Sequence, residues 1–83
     1  MRTFFNVSKS DSYDFLQPIS AQFALTDKET AIVELIYKGK ANKEIGDELD
    51  ISLNTVKTYI YSIYKKMKLR SRVELINYIN YHK

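Results

Sequence analysis

The spacing of apolar residues from Leu25 onward is that of α-helices. Apolar side chains recur three or four positions apart, and no segment alternates apolar and polar residues over a useful length. This pattern predicts an all-α fold with four helices and no sheet. The predicted helices cover about residues 27–38, 42–49, 54–68 and 72–81.

Polar residues mark where two of these helices begin. Thr26-Asp27-Lys28-Glu29 has the pattern of a capping box, in which the Thr hydroxyl accepts from a first-turn amide and the Glu carboxylate accepts from the cap amide. Ser71-Arg72-Val73-Glu74 repeats the pattern and predicts the start of the fourth helix. Gly39 suits the left-handed conformation that ends a helix, so the first helix is expected to stop there.

Residues 1–24 show no comparable order. They contain the only proline, Pro18, and aromatic residues without helical spacing. We interpret them as an irregular N-terminal arm or linker, and residues 25–83 as the one domain that a chain of this length can form. The composition leaves open whether the segment docks on the domain or is the tail of a further domain upstream.

The third predicted helix has two chemically different faces. Its apolar face carries Val56, Tyr59, Ile60, Ile63 and Met67. Its opposite face has no acidic residue and carries Asn54, Lys57, Thr58, Tyr61, Lys65 and Lys68. An ordinary solvated face mixes charges of both signs, because Glu–Lys pairs four residues apart stabilise a helix. The uncompensated lysines therefore favour a polyanionic partner.

The distribution of charge along the chain supports the same interpretation. The formal net charge is +3, but residues 1–50 hold six basic and nine acidic side chains, whereas residues 51–83 hold seven basic and one acidic. The second part is therefore strongly basic. A short helix, a turn of roughly four residues and a longer basic helix are together typical of a helix-turn-helix, whose last helix enters the DNA major groove.

Six separated segments resemble, in order and spacing, the LuxR-type (LuxR/NarL/GerE) DNA-binding domain of bacterial transcription regulators. They lie within about residues 25–80 and read Leu25-Thr26-Asp27-Lys28-Glu29, Gly39, Asn42-Lys43-Glu44-Ile45-Gly46, Leu49-Asp50-Ile51-Ser52, Thr55-Val56-Lys57-Thr58-Tyr59 and Lys66-Met67-Lys68-Leu69-Arg70-Ser71-Arg72-Val73-Glu74. The resemblance implies a four-helix domain that binds double-stranded DNA as part of a transcription regulator.

The resemblance also implies roles for individual residues. The positions that match base-reading side chains are Lys57, Thr58 and Tyr61. Those that match phosphate-contacting positions are Lys43, Asn54, Thr55, Lys65 and Arg70. The fourth helix resembles the family's dimerisation helix, so we expect a homodimer on two half-sites through Leu75, Tyr78 and Tyr81. RNA polymerase is a candidate further partner.

Three positions depart from the family pattern. Gly46 stands where alanine is usual, and both residues are small enough for two helices to cross closely. Tyr59 replaces a usual histidine. Tyr61 stands where lysine or another polar residue is frequent, and it puts the base preference in question. Its ring can contact a thymine methyl group, but it lacks the charge that favours guanine.

Other classes of function lack the residues that they need. The chain has no cysteine, and its one histidine, His82, lies next to the last residue. We therefore expect no enzyme activity, cofactor, metal or small-molecule ligand in this chain. The longest apolar runs are three residues, as in Ala31-Ile32-Val33, so we expect a cytoplasmic, nucleoid-associated chain without a membrane partner. The alternative function is a helical protein–protein interaction module that uses the helix-turn-helix fold without DNA contact.

Overall fold

A computed structural model of the chain describes residues 13–83. The described residues form α-helices and no strand, which confirms the predicted all-α class. The helices are α1 (Leu16–Phe23), α2 (Asp27–Tyr37), α3 (Asn42–Leu49), α4 (Leu53–Met67) and α5 (Arg72–His82). The bounds of α2 to α5 match the four predicted helices to within one residue.

Helix α1 is the element that the sequence pattern does not predict, and the expectation of an irregular arm is wrong for this part of it. A helix of 8 residues is too short to be stable alone, so α1 forms because it buries Leu16, Ile19 and Ser20. Pro18 is the third residue of the helix, where the amide has no partner within the helix. The prediction for residues 1–12 lies outside the described residues.

All five helices contribute to one apolar core, and α4 lies against both α2 and α3. The core positions predicted for α4, which are Val56, Ile60, Ile63 and Met67, are all buried. The other helices add Leu16, Ile19, Ile32, Val33, Leu35, Ile36, Ile45, Leu75 and Ile79. One side of α4 is therefore fixed by packing, which sets the direction in which its polar side faces.

The turn between α3 and α4 brings two stretches of backbone close together. Asp50 has a left-handed conformation, with φ of 58°, and the Ile51 amide donates to the Gly46 carbonyl oxygen at 2.9 Å. A Cβ atom on Gly46 would lie 2.8 Å from the Ile51 carbonyl oxygen, closer than van der Waals contact allows. Glycine at position 46 therefore permits this close packing, although glycine inside a helix costs about 1 kcal/mol relative to alanine. The expectation that alanine is also small enough is wrong for this backbone, because the Ile51 carbonyl group would have to shift to admit its Cβ atom.

The predicted helix ends are confirmed at α2 and corrected at α5. Thr26 and Glu29 form the reciprocal capping box, and Gly39 has a φ of 90° just beyond the end of α2. At α5 the Ser71 hydroxyl accepts from the Glu74 amide, but the Glu74 carboxylate accepts from the Arg70 amide at 2.7 Å instead of the Ser71 amide. The second capping box is therefore only half formed, and Glu74 fixes the preceding turn.

The Glu29 carboxylate does more than cap α2, because it also binds α4. The side chain is 3% exposed. One of its oxygens accepts from the Thr26 amide at 2.8 Å and from Lys66 Nζ at 2.7 Å, and the other accepts from the Ser62 hydroxyl at 2.7 Å. Lys66 Nζ also donates to the Ala24 carbonyl oxygen at 3.1 Å. This Glu29 cluster therefore joins the start of α2 to the second half of α4.

The surroundings of Glu29 favour its ionised form. Burial alone raises the pKa of the carboxyl group, but hydrogen bonds from Lys66, the Thr26 amide and Ser62, together with the charge of Lys66, outweigh that effect. The pKa of Glu29 is consequently lowered from its ordinary value of 4.5. A carboxyl group whose pKa is lower in the folded state stabilises the fold above its ordinary pKa and loses that contribution as the pH falls.

The Glu29→Gln variant tests the cluster. We expect its free energy of unfolding at pH 7 to be lower by about 1–3 kcal/mol, because a buried charged acceptor of several hydrogen bonds is lost. We also expect the variant to lose stability less steeply than wild type as the pH falls below 4.5, the ordinary pKa of the group that it lacks. Urea denaturation followed by circular dichroism between pH 7 and pH 3 measures both effects.

Glu34→Gln is the matched control, because Glu34 lies on the same helix and pairs with Lys38 at 3.1 Å near the surface. Such surface pairs contribute roughly 0–1 kcal/mol, so the control should change stability little. Equal acid sensitivity of Glu29→Gln and wild type would contradict the role given to Glu29.

Candidate nucleic-acid interface

The polar face of α4 points away from the core along its whole length. Lys57, Thr58 and Tyr61, which match base-reading positions, are all exposed, and Tyr61 is 68% exposed. They lie within two consecutive turns in the first part of the helix. The fold therefore brings the three predicted side chains together on one accessible surface.

Hydrogen bonds within α4 limit what Thr58 can offer to a ligand. Its hydroxyl donates to the Asn54 carbonyl oxygen at 3.0 Å, four residues back along the helix. The proton of the hydroxyl is therefore already used. Thr58 retains its methyl group and the acceptor capacity of its oxygen, whereas Lys57 and Tyr61 present donors at the ends of longer side chains.

The first turn of α4 is capped by a side chain and remains open to solvent. Ser52 Oγ accepts from the Thr55 amide at 3.1 Å and lies 2.9 Å from Thr55 Oγ1. Asn54 beside it is exposed, while Thr55 is half-buried. The amides of a helix N-terminus carry partial positive charge and attract phosphate, so this end suits the phosphate contacts predicted for Asn54 and Thr55.

The predicted phosphate-contacting cations lie on three different parts of the fold. Lys65 extends along α4, with Nζ 5.9 Å from the centroid of the Tyr61 ring. Arg70 is exposed in the turn after α4. Lys43 lies on α3, where Nζ is 3.7 Å from an oxygen of the highly exposed Asp47. An exposed pair of this kind is weak, so it leaves the Lys43 charge accessible.

Three of the seven basic residues in the C-terminal part do not belong to this surface: Lys66, Arg72 and Lys83, whose Nζ donates to the Tyr37 hydroxyl at 2.8 Å. Lys66 binds Glu29, and Arg72 donates to the Asn42 side chain at 3.2 Å and to the Lys40 carbonyl oxygen. Both cations brace the fold, and counting charges along the sequence does not separate them from the others. A helical wheel gives a partial signal, because Lys66 lies next to Tyr59 at the edge of the apolar stripe.

Helix α5 exposes only some of the residues predicted for dimerisation. Leu75 is 0% exposed, so its prediction as a dimer contact is wrong: the side chain fills the core of its own domain. Tyr78 is half-buried, with its ring 5.7 Å from that of Phe23 and stacked on His82 at 4.0 Å. Tyr81 is 86% exposed and Val73 is 66% exposed. The accessible apolar surface of α5 therefore centres on Tyr81 and Val73.

His82 is held by its own helix. Its ring stacks on Tyr78, and its Nδ1 lies 2.9 Å from the Tyr78 carbonyl oxygen. Within residues 13–83 no group of acidic or histidine side chains is arranged to hold a metal ion. In the same residues, no helix has both the length and the apolar character needed to cross a membrane.

The chain is similar to several bacterial regulators. The Uncharacterized response regulatory protein YgeK of Escherichia coli (strain K12) is 38% identical over 74 residues, which are 89% of this chain and 50% of that protein. The Transcriptional regulatory protein LiaR of Bacillus subtilis (strain 168) is 46% identical over 55 residues, which are 66% of this chain and 26% of that protein. The matches therefore span half the length of these relatives or less.

A third relative gives the same picture, and the family itself can be assigned. The Transcriptional regulatory protein DesR of Bacillus subtilis (strain 168) is 44% identical over 52 residues, 63% of this chain and 26% of that protein. The family described as "Bacterial regulatory proteins, luxR family" matches residues 24–79, which include α2 to α4 and most of α5. The chain therefore belongs to the LuxR family of bacterial regulatory proteins.

Proposed function

We propose that this chain binds specific sequences of double-stranded DNA for a transcription regulator, with α4 in the major groove. The observation that carries the proposal is the exposed face of α4, on which Lys57, Tyr61 and Lys65 stand without an acidic neighbour. Lysines on such a face can neutralise the phosphates of a polyanion and release its counterions. A major groove about 12 Å wide accepts one α-helix.

The side chains of α4 divide by the groups that they can recognise. Lys57, near the first turn, is the side chain suited to guanine, whose major-groove edge presents two acceptors. Thr58 and Tyr61 offer a methyl group and an aromatic ring with a hydroxyl. We assign phosphate contacts to Asn54 and Thr55 at the capped start of the helix, to Lys43 on α3, and to Lys65 and Arg70 near the end of α4.

Two copies are proposed to bind two half-sites through α5. The support is the exposed apolar surface of Tyr81 and Val73, flanked by Tyr78. A pair of identical helices facing each other would bury this surface symmetrically, as the commonest homodimers do. Leu75 takes no direct part, because it is inside the domain.

The dependence of affinity on salt tests DNA binding itself. We expect the association constant for a duplex to fall steeply as salt is added. A plot of its logarithm against the logarithm of the salt concentration should have a slope near −0.9 for each neutralised phosphate. Fluorescence anisotropy with a labelled duplex between 50 and 300 mM salt, roughly the range over which such slopes are read, measures it. A flat dependence, or no binding at low salt, would reject DNA as the ligand and favour a protein partner.

Lys57→Ala and Lys65→Ala separate base recognition from phosphate contact. Lys57→Ala should cost about 1–3 kcal/mol on the preferred site and relax the preference at one base pair. Lys65→Ala should weaken binding to all sequences about equally and reduce the salt slope by about 1. Competition titrations with specific and scrambled duplexes measure the difference. If both variants lose the same factor on both duplexes, the assignment of the two lysines is wrong.

Tyr81→Asp tests the pairing of two copies. We expect wild type to fill a duplex with two half-sites cooperatively and the variant to fill each half-site independently, because a charge would be placed in an apolar contact. Gln17→Asp is the control, since it adds the same charge at an exposed position of α1. Titrations followed by native gel electrophoresis measure cooperativity. Unchanged cooperativity in Tyr81→Asp would remove α5 from the contact.

A further inference from the structure

Leu53 is an apolar residue that the fold leaves largely exposed. It is the first residue of α4 and is 44% exposed. The partly buried apolar residues that pack on the core include its neighbour Ile51 but not Leu53. In residues 13–83 the exposed large apolar side chains are Leu53 and Tyr61 on α4, and Val73 and Tyr81 on α5. The fold therefore leaves nearly half of this leucine side chain accessible for contact.

The position of Leu53 relates it to the other exposed side chains of α4. Leu53, Lys57 and Tyr61 are spaced four residues apart, so they form one row along the helix. A rise of about 1.5 Å per residue places Leu53 and Tyr61 roughly 6 Å to either side of Lys57. This distance corresponds to about two base-pair steps in B-DNA. The row is therefore apolar, cationic and aromatic in turn.

We propose that Leu53 is a base-contacting residue that packs against the 5-methyl group of a thymine about two base pairs from the base read by Lys57. The proposal rests on the proposed function, since it assumes that α4 lies in the major groove. The thymine methyl is the apolar group that base pairs display in that groove, and a leucine side chain can recognise nothing else there. Leu53 thereby adds specificity for a T·A pair about two steps from the Lys57 contact.

The location of Leu53 favours DNA over a protein as its binding partner. Leu53 directly follows Ser52, the cap at the positive end of α4, and precedes the exposed Asn54. These neighbours are polar groups suited to phosphate, so the surface around Leu53 is that of a nucleic-acid contact. A stable protein interface needs about 800 Å² on each partner, far more than one leucine side chain supplies.

Removal of single methyl groups from DNA tests the proposal. The preferred site is first selected from a random duplex pool with the 83-residue chain. Each thymine of that site is then replaced in turn by deoxyuridine, which lacks only the 5-methyl group. We expect wild type to lose about fourfold in affinity at one thymine position through the lost apolar contact with Leu53. Leu53→Ala should bind the thymine and deoxyuridine forms of that position equally.

Two further variants control for folding and for general loss of apolar surface. Leu53→Gln keeps the length of the side chain and suits a helix, but offers no apolar end, so it should also lose the methyl dependence. Leu25→Ala shortens a half-buried leucine between α1 and α2, outside the proposed DNA and dimer contacts, and should keep the full methyl dependence. Circular dichroism melting of each variant verifies that the domain is folded in the binding assay.

The outcomes separate this proposal from the function on which it rests. If the methyl dependence persists in Leu53→Ala and Leu53→Gln, another side chain makes the contact and the proposal is overturned. The proposal is also overturned if wild type binds DNA with a steep salt dependence but no deoxyuridine substitution changes its affinity. In that case the proposed function stands. Absence of DNA binding at low salt would overturn both. Loss of the dependence in both Leu53 variants, with retention in Leu25→Ala, supports the assignment.

Discussion

The Glu29 carboxylate is the contact on which the geometry of the domain depends. It is buried, and a buried carboxylate is stable only when its oxygens are fully hydrogen-bonded. The Thr26 amide, the Ser62 hydroxyl and Lys66 together satisfy it, and these groups come from the start of α2 and the second half of α4. Because this set of bonds cannot form if α4 turns or slides, the apolar packing of α4 gains a defined rotation and register.

Fixing the rotation of α4 decides what the domain can bind. Val56, Ile60, Ile63 and Met67 face the core, and the acid-free face with Lys57 and Tyr61 therefore faces solvent. The close contact of Gly46 with the turn allows α3 to pack against the same helix. The net charge of +3 is modest because the excess of acidic side chains in residues 1–50 offsets part of the excess of basic ones in residues 51–83. Lys66 and Arg72, which count toward that charge, serve the fold instead.

Local chemistry made much of this structure predictable. Helices α2 to α5 follow from apolar spacing, from the Thr26 cap and from Gly39, since each of these acts within a few residues along the chain. Helix α1 does not follow, because eight residues gain stability only from the core into which Leu16 and Ile19 insert. The same limit explains Leu75, whose apolar character suits both a dimer contact and a core position. Its burial distinguishes the two.

The sequence by itself determined the class of fold, the identity of the basic helix and the family pattern, because these depend on residue types at fixed spacing. Only the tertiary structure decided which of the similar residues do which task. Two neighbouring lysines make different contacts. Lys65 lies beside the Tyr61 ring, and Lys66 pairs with Glu29. Of two leucines, Leu53 lies at the surface and Leu75 lies in the core. Neighbours brought together from distant parts of the chain set these differences, and no local pattern contains them.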